Sequence, residues 1–429
     1  MFTKPRHHLL SFILCGTLLL HPVQLAYAAD DNSVTTQEDT STTQEDTATT
    51  QPDEAPFWEN RQLEITLLSK RSLSLSWSTA TNAISYQVYR KDCGSTPIAT
   101  VTEPCYTDHT ISFGHTYQYS VVPVGANNLL GDAISATTHP RNIVNVTRQA
   151  YSYKEMESDG KALSELYPDR CEITSIGSTV KGRKLYDIAI GNPNATNSLL
   201  VVCTLHAREY ACSVLAMRQL EYYLQNYNRT LGGIKPSTTL SNLQIHYLVM
   251  ANPDGVTISQ GKHPRWKANA RGVDLNRNYP YLFHVSGHPG SEGFTGYKAA
   301  SEPETKAIMK KIALLKKTQH LRAVVNYHAM GQIIFGDYHG PNAAIKKETK
   351  DLYWMARNLT GYKDSGSYGG VGRGCLREYL LYKEKIPNIT IEIGRTWCPV
   401  VHREYNQIFN KNKLVVLKAA SFYKNKSKR

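Results

Sequence analysis

The chain has 429 residues and 41% of them are apolar, so it exceeds one small domain and can bury at least one large core. Its formal charge is +13, yet residues 29–56 hold eight acids and no base, which makes the later chain more basic still. On an exported protein this charge favours an anionic cell-wall polymer over nucleic acid as a partner, and ordinary solubility charge is the alternative.

The N-terminus has the pattern of a secretory signal peptide. Lys4 and Arg6 precede an apolar run over residues 9–20, and Ala26-Tyr27-Ala28 follows at the expected cleavage site. The run is shorter than the ~20 apolar residues of a membrane-spanning helix, although a retained anchor is the alternative. We therefore expect residues 1–28 to be removed and the protein to be secreted, either into the extracellular space or onto the cell wall.

The next segment, residues 29–56, repeats the sequence TTQEDT at 35–40 and 42–47 and has almost no large apolar side chain. Such a segment cannot bury enough surface to fold by itself. We expect a disordered acidic linker here.

Residues 57–142 have the period-two apolar pattern of short β-strands. Runs such as SLSLSW and TYQYSVVPV lie between turn signals, which indicates a small all-β sandwich. Over about 80 residues the pattern resembles a fibronectin type III domain with Trp77 in its core, which implies a spacer or binding module. Cys93 and Cys105 lie close together in this segment and can form a disulfide or remain free thiols.

Helical patterns alternate with buried-looking strands from residue 146 to residue 429. This alternation predicts an α/β fold with a mixed sheet flanked by helices, and such sheets bind ligands at their strand ends. The clearest predicted helices are 153–166 and 211–227. The clearest predicted strands are 199–205, 246–252, 321–328 and 387–394.

Four polar side chains lie at or within these predicted strands. His206 follows one strand, Glu209 comes three residues later, and His328 ends another strand. Two imidazoles and one carboxylate are the ligands of a catalytic zinc site with an open position, although a surface histidine beside a glutamate is the alternative for the first pair. Glu392 interrupts an apolar strand, where its carboxylate needs a partner such as a metal-activated water or a neighbouring lysine or arginine.

Five motifs occur along the larger part in the order HAREY, NPDGV, GVDLNRNYP, NYHAMG and TIEIG. Together they resemble the zinc carboxypeptidase family related to carboxypeptidase A, over residues 146–429. The resemblance implies a carboxypeptidase-like fold and one Zn²⁺ ion held by His206, Glu209 and His328. It also implies that Glu392 is the general base, which takes a proton from water and returns it to the leaving amine.

Other motif positions have further implied roles. Asp274 matches the acid that orients the first ligand histidine, with a loop-capping aspartate as the alternative. Asn276 and Arg277 match the pair that binds the terminal carboxylate of the substrate. Tyr368 matches the mobile tyrosine that closes over bound substrate, with an exposed loop tyrosine as the alternative.

The sequence departs from the family pattern at Lys267. The family has an arginine at this position, nine residues before Asn276, and that arginine stabilises the oxyanion. A lysine keeps the charge but loses the planar fork, so Arg208 can take a larger share, and a plain surface charge is the alternative. Arg377 in the segment GCLRE is a candidate for binding a carboxylate-bearing side chain, and a solvated helix face is the alternative.

The resemblance predicts a zinc-dependent metallocarboxypeptidase that hydrolyses the C-terminal amide bond of peptides. One alternative substrate class comes from a bacterial cell-wall branch of the family, which cleaves γ-D-glutamyl-L-diamino acid bonds in peptidoglycan stem peptides. A non-catalytic cell-wall-binding protein is the alternative outside the enzymes. We expect a peptide or stem-peptide partner, no nucleic-acid partner, and no transmembrane segment after removal of the signal peptide.

Overall fold

A computed structural model describes residues 54–69, 72–111, 116–138, 143–336, 340–366, 372–395 and 397–426. The predicted signal peptide, the predicted linker up to residue 53 and Tyr368 lie outside these ranges. Residues Asp53–Arg429 form one compact unit, so the predicted domain boundaries of 57–142 and 146–429 stay predictions. Within the described ranges, no helix is long and apolar enough to cross a bilayer.

The N-terminal part of the described chain consists of two small antiparallel sheets. Its strands are β1 (Leu63–Ser69), β2 (Ser72–Trp77), β3 (Ser85–Arg90), β4 (Ala99–Val101), β5 (Cys105–Asp108), β6 (Gln118–Val124) and β7 (Ile134–Thr137). One sheet has the order β1-β2-β5 and the other the order β4-β3-β6-β7. Leu73, Leu75 and Trp77 alternate into a shared core, as the period-two pattern predicts. The small all-β region is confirmed, and its fibronectin type III character stays a prediction.

A buried ion pair links the two small sheets. Arg90 on β3 donates to Asp108 Oδ2 on β5 over 2.7 Å, and the Tyr119 hydroxyl on β6 donates to the same oxygen over 2.7 Å. Burial acts to raise the pKa of Asp108, but these hydrogen bonds outweigh burial and lower the pKa. The carboxylate therefore stays charged and holds both sheets together.

All seven cysteines of the described chain are free thiols. Cys93 and Cys105 are exposed free thiols, which is the second of the two arrangements that the sequence allows. The other five are buried or partly buried, where a thiol packs as a small apolar group.

The larger part is built on an eight-stranded mixed sheet. Its strands are β8 (Cys171–Ser178), β9 (Lys184–Ile190), β10 (Asn197–Cys203), β11 (Leu243–Leu248), β12 (Leu321–Ala329), β13 (Ile333–Phe335), β14 (Lys363–Asp364) and β15 (Asn388–Ile393). In the order β14-β13-β15-β12-β10-β11-β9-β8, the central strands β15, β12, β10 and β11 are parallel. The pairs β13–β15, β11–β9 and β9–β8 are antiparallel, which confirms the predicted mixed sheet.

Helices cover both faces of this sheet. They are α1 (Tyr153–Leu166), α2 (Ala211–Gln225), α3 (Pro236–Leu240), α4 (Pro253–Ser259), α5 (Pro303–Gln319), α6 (Ala343–Thr360), α7 (Leu376–Glu378), α8 (Tyr405–Asn412) and α9 (Val415–Tyr423), and α7 continues as a π-helical turn over Tyr379–Glu384. On β10, Leu199 and Val201 pack with residues of α2 and α9, whereas Leu200 and Val202 pack with residues of α5. Because successive strand residues point to opposite faces, this continuous apolar run is buried on both sides.

The structure places two strands earlier in the chain than predicted. Strand β10 covers residues 197–203 instead of the predicted 199–205, and β11 is shifted in the same direction. Residues 243–248 form β11, whereas the apolar pattern predicted residues 246–252. Residues 249–251 are buried but lie beyond the ladder with β10, and they lead to Asn252, whose side chain caps α4. Apolar burial therefore continues past the point where strand pairing ends.

Glu221 on α2 ties the start of the larger part to that helix. Its side chain is 2% exposed, and its carboxylate accepts hydrogen bonds from the backbone N–H groups of Ile143 and Val144. Burial raises the pKa of Glu221 to about 7, although the two N–H donors act to lower it. The folded protein thus keeps this proton at pH values where the unfolded chain has lost it.

We predict that the Glu221→Gln variant loses less stability than the wild-type protein when the pH rises from 5 to 8. With a folded-state pKa raised from 4.5 to about 7, the wild-type free energy of unfolding falls as the pH rises through that window. The amide of the variant does not titrate. The change in unfolding free energy between pH 5 and pH 8 should therefore differ between the two proteins by at most on the order of 3 kcal/mol. Urea unfolding at both pH values measures this difference. The same pH dependence in both proteins would contradict the assignment.

Candidate active site

The carboxyl ends of three neighbouring parallel strands bring the predicted site residues together. β10 ends at Cys203, and Thr204 then adopts a positive φ of 58°, which turns the chain toward His206. His328 near the end of β12 lies directly across from Glu392 on β15. Because β10, β12 and β15 are adjacent and parallel, their functional side chains meet at one edge of the sheet.

The three predicted metal ligands converge and are all buried. Glu209 Oε1 lies 2.7 Å from His206 Nδ1, and Glu209 Oε2 lies 2.8 Å from His328 Nδ1. The two Nδ1 atoms are 3.1 Å apart. One ligand atom from each of the three side chains lies within 4.8 Å of the others, which is close enough for all three to share one ion.

The donor chemistry of this cluster fits a metal cation. His206 Nε2 lies 3.1 Å from Asp274 Oδ1, a carboxylate oxygen that accepts, so the proton of a neutral His206 belongs on Nε2. His206 Nδ1 then directs a lone pair toward His328 Nδ1 and the Glu209 carboxylate. Such buried acceptor groups are unfavourable together unless a proton or a cation lies between them. Two imidazole nitrogens and one carboxylate are ligands that zinc prefers.

The charges around the cluster keep both carboxylates ionised. Burial acts to raise the pKa of Glu209, but when the neighbouring His206 and His328 rings carry a proton, their charge and hydrogen bonds outweigh burial and hold that pKa well below its usual range. Burial likewise acts to raise the pKa of Asp274, and His206 together with Lys267 holds it far below its usual range. Glu209 is therefore already deprotonated when a metal ion binds, and Asp274 provides a charged hydrogen-bond partner for His206.

Glu392 faces the cluster from β15 and is partly buried. Burial raises the pKa of Glu392 to about 7, and the negative charge of Glu209 acts in the same direction, whereas His328 and Lys267 oppose the rise. Of the described lysines and arginines, none lies within 4.0 Å of its carboxylate, so the alternative of a salt bridge is not seen in this part of the chain. A carboxylate of this kind can exchange a proton near neutral pH.

Asn276 and Arg277 lie next to the cluster, on the loop that follows Asp274. Asn276 Oδ1 accepts a hydrogen bond from the backbone N–H of Leu376 over 3.0 Å, which fixes the loop against α7. Arg277 Nη1 lies 2.8 Å from the Asn276 backbone oxygen and 3.2 Å from Cys375 Sγ. Within the described chain, no carboxylate lies within 4.0 Å of this guanidinium, so its charge can bind an external carboxylate.

Lys267 and Arg208 both have acidic neighbours. Lys267 Nζ is 3.0 Å from Asp274 Oδ2, and Arg208 Nη2 is 2.7 Å from Glu292 Oε1. Arg208 Nε is buried, and no described residue accepts its hydrogen. Glu292 was not predicted as a site residue, because nothing in the segment GSEGFTG distinguishes it from a solvated loop glutamate.

Arg377 is buried, with 9% exposure, so the alternative of a solvated helix face is wrong. Its guanidinium carbon lies 5.2 Å from the centre of the Phe335 ring, and its Nε donates to Glu378 Oε1 over 2.8 Å. The burial follows from the packing of α7 against β15, which the local sequence pattern does not specify. Tyr368, the predicted mobile tyrosine, lies outside the described residues.

Comparison with known proteins gives the same family as the motifs. The family model described as Zinc carboxypeptidase matches residues 156–396, which are 241 of the 429 residues. Gamma-D-glutamyl-L-diamino acid endopeptidase 1 of Lysinibacillus sphaericus is 24% identical over 292 residues, which cover 61% of this chain and 70% of that protein. Metallocarboxypeptidase A of Arthroderma otae is 27% identical over 230 residues, which cover 50% of this chain and 53% of that protein.

Among solved structures, the carboxypeptidase A of Helicoverpa armigera is similar with a TM-score of 0.53 and 19% sequence identity. The similarity covers 67% of this chain and 76% of that one. At this identity the likeness concerns the fold, and it shows that the mixed sheet with its flanking helices is carboxypeptidase-like.

We predict that Asp274→Asn weakens zinc binding by about 10- to 100-fold, because the His206 ring loses the negative charge that orients it and raises its basicity. Competition titration with a zinc-binding dye measures the affinity. Asp254→Asn is the matched control, since Asp254 is 2% exposed but pairs with Arg183 rather than with a site histidine. Equal zinc affinity in Asp274→Asn and the control would contradict the role of Asp274.

Proposed function

The chain belongs to the zinc carboxypeptidase family, and from this premise we propose that it is a zinc-dependent metallocarboxypeptidase that hydrolyses the C-terminal amide bond of peptides. One observation carries the proposal: ligand atoms of His206, Glu209 and His328 lie within 4.8 Å of one another. Glu392 lies directly across from His328, and no described lysine or arginine lies within 4.0 Å of its carboxylate. Three metal ligands beside a free base are the minimum set for metal-assisted hydrolysis.

Glu392 moves the proton in the proposed reaction. A zinc ion held by His206, Glu209 and His328 supplies Lewis acidity, which makes water more acidic and polarises a carbonyl. Glu392 accepts a proton from the attacking water and returns it to the nitrogen of the leaving amine. A pKa raised by burial to about 7 suits this exchange, because the carboxylate must both accept and release a proton near neutral pH.

Asn276 and Arg277 hold the terminal carboxylate of the substrate in this proposal. The Arg277 guanidinium is partly buried and has no described carboxylate within 4.0 Å, which supports an external anionic partner. A guanidinium can bind both oxygens of a carboxylate in one plane. This contact restricts cleavage to the bond before a residue with a free carboxylate.

Lys267 and Arg208 stabilise the negative oxygen that forms as the carbonyl is attacked. Lys267 Nζ contacts Asp274, and Asp274 in turn contacts the metal ligand His206. The buried Nε of Arg208 has no acceptor among the described residues, which supports a share for Arg208 in binding this oxygen. A fixed donor of this kind is effective because it does not have to reorganise during the reaction.

We predict that Glu392→Gln binds zinc with near wild-type affinity but lowers kcat by at least about 10³-fold, because the amide cannot take the proton. Turnover of a model dipeptide, with and without a chelator, measures the loss. Glu384→Gln is the control, since Glu384 precedes β15 and pairs with Lys316. Near-normal turnover in Glu392→Gln would refute the assignment. Zinc-loaded wild-type protein without turnover would support a non-catalytic wall-binding protein instead.

We further predict that Arg277→Gln lowers kcat/KM by about 10²-fold for peptides with a free C-terminal carboxylate, because it removes a charge-assisted contact. The same peptides with an amidated C-terminus should be poor substrates of the wild-type protein. Arg271→Gln serves as the control, because Arg271 is exposed and faces Glu302 at 3.7 Å. If wild-type protein cleaves acid and amide peptides equally well, Arg277 does not bind the terminal carboxylate.

A second candidate substrate is the γ-D-glutamyl-L-diamino acid bond of peptidoglycan stem peptides. A relative with 24% identity is named for this activity. Mass spectrometry of the products from a C-terminal peptide library and from digested stem peptides compares the two candidates directly.

Export by residues 1–28 and attachment to an anionic cell-wall polymer belong to the same proposal, and cell fractionation tests both.

A further inference from the structure

A cavity of about 530 Å³ opens beside the candidate active site. Its lining includes Lys267 and Asp274 and continues over a loop with Lys262, Arg265 and Trp266. Arg277 and Cys375 are not part of this lining, so the cavity is separate from the proposed site of the terminal carboxylate. If Arg277 holds the leaving residue, a cavity on the Lys267 side receives the acyl part of the substrate.

The charges that line this cavity are unbalanced. Lys262 and Arg265 are exposed, and of the described acids none lies within 4.0 Å of either one. The two acids of the lining are already engaged, because Asp274 contacts Lys267 and His206, and Glu292 contacts Arg208. A concave surface with this excess of positive charge attracts anions.

Glu292 marks where an anionic group can bind. Its Oε1 atom is 2.7 Å from Arg208 Nη2 and 3.9 Å from Lys267 Nζ, so one carboxylate already lies between two cations at the cavity edge. The Glu292 side chain is 63% exposed, and exposed ion pairs contribute little stability. Glu292 can therefore turn aside at little cost when a substrate carboxylate approaches Lys262 and Arg265, which leaves Lys267 and Arg208 to the oxyanion.

We propose that this cavity recognises a free carboxylate on the acyl residue of the substrate, close to the bond that is cut. The proposal rests on the proposed function, because it takes Lys267 and Arg277 to lie on opposite sides of that bond. A glutamyl residue meets the requirement in two ways: a γ-linked residue leaves its α-carboxylate free, and an α-linked residue leaves its side-chain carboxylate free. An acyl residue with a carboxamide at the same position does not.

Binding of the acyl products tests the proposal without requiring turnover. Calorimetric titration of the zinc-loaded wild-type protein compares N-acetyl-D-glutamate with N-acetyl-D-isoglutamine, which differ only in the α-group that a γ-linkage leaves free. N-acetyl-L-glutamate and N-acetyl-L-glutamine form the second pair and represent the α-linkage. We expect the acid to bind about tenfold more tightly than the amide in at least one pair, since a charge-assisted hydrogen bond is lost in the amide.

Variants of the lining locate the preference. Lys262→Gln/Arg265→Gln should bring the acid-to-amide affinity ratio close to one, and Glu292→Gln should increase the ratio, because the internal competitor is removed. Lys317→Gln is the control, since Lys317 is exposed on α5 and should leave the ratio unchanged. Thermal unfolding of each variant verifies folding.

Equal affinity for acid and amide in both pairs overturns the proposal, and so does an acid preference that the double variant retains. An acid preference in the D-pair alone identifies the γ-linkage, and one in the L-pair alone identifies the α-linkage. A protein that prefers the acid but cuts no peptide keeps this site while the proposed function fails.

Discussion

The larger part of the chain depends on the convergence of three buried side chains at the carboxyl ends of its central parallel strands. His206 and His328 direct Nδ1 atoms at each other over 3.1 Å, and Glu209 reaches both rings. Without a proton or a cation between these groups their convergence is unfavourable, so rigid neighbouring elements must hold it. The parallel pairing of β10 with β12, buried on both faces, provides that rigidity.

Charge alternates outward from this centre. His206 contacts Asp274, Asp274 contacts Lys267, and Glu292 lies near both Lys267 and Arg208. Each charge is offset by its neighbour, which allows several ionised groups to lie close together in a partly buried region. In the proposed reaction this series of charges separates two functions, because Asp274 orients a metal ligand whereas Lys267 and Arg208 act on the substrate.

The sequence predicted that His206, Glu209 and His328 lie close together, because their positions follow from strong local patterns. The apolar runs that became β10, β12 and β15 end near His206, His328 and Glu392, and adjacent parallel strands bring such ends together. Helix α1 has the predicted bounds of 153–166, and Ser152 and Glu155 form a capping box at its start.

The remaining features depend on contacts between segments that are distant in sequence. Glu292 lies 84 residues from Arg208, and no local pattern indicates that they pair. Arg377 is buried because α7 packs on β15, although its immediate sequence is equally compatible with an exposed helix face. The end of β11 was predicted too late, because residues 249–251 stay buried after pairing has ended.

X-ray absorption at the zinc edge of the loaded protein tests the central claim most directly, since it reports the atoms bound to the ion. Imidazole scattering from two histidines, with nitrogen and oxygen ligands at about 2.0–2.2 Å, is the expected result. Either His206→Ala or His328→Ala should remove part of the imidazole signal. A sulfur ligand at about 2.3 Å, or an unchanged imidazole signal in both variants, would contradict the claim that His206, Glu209 and His328 hold the metal.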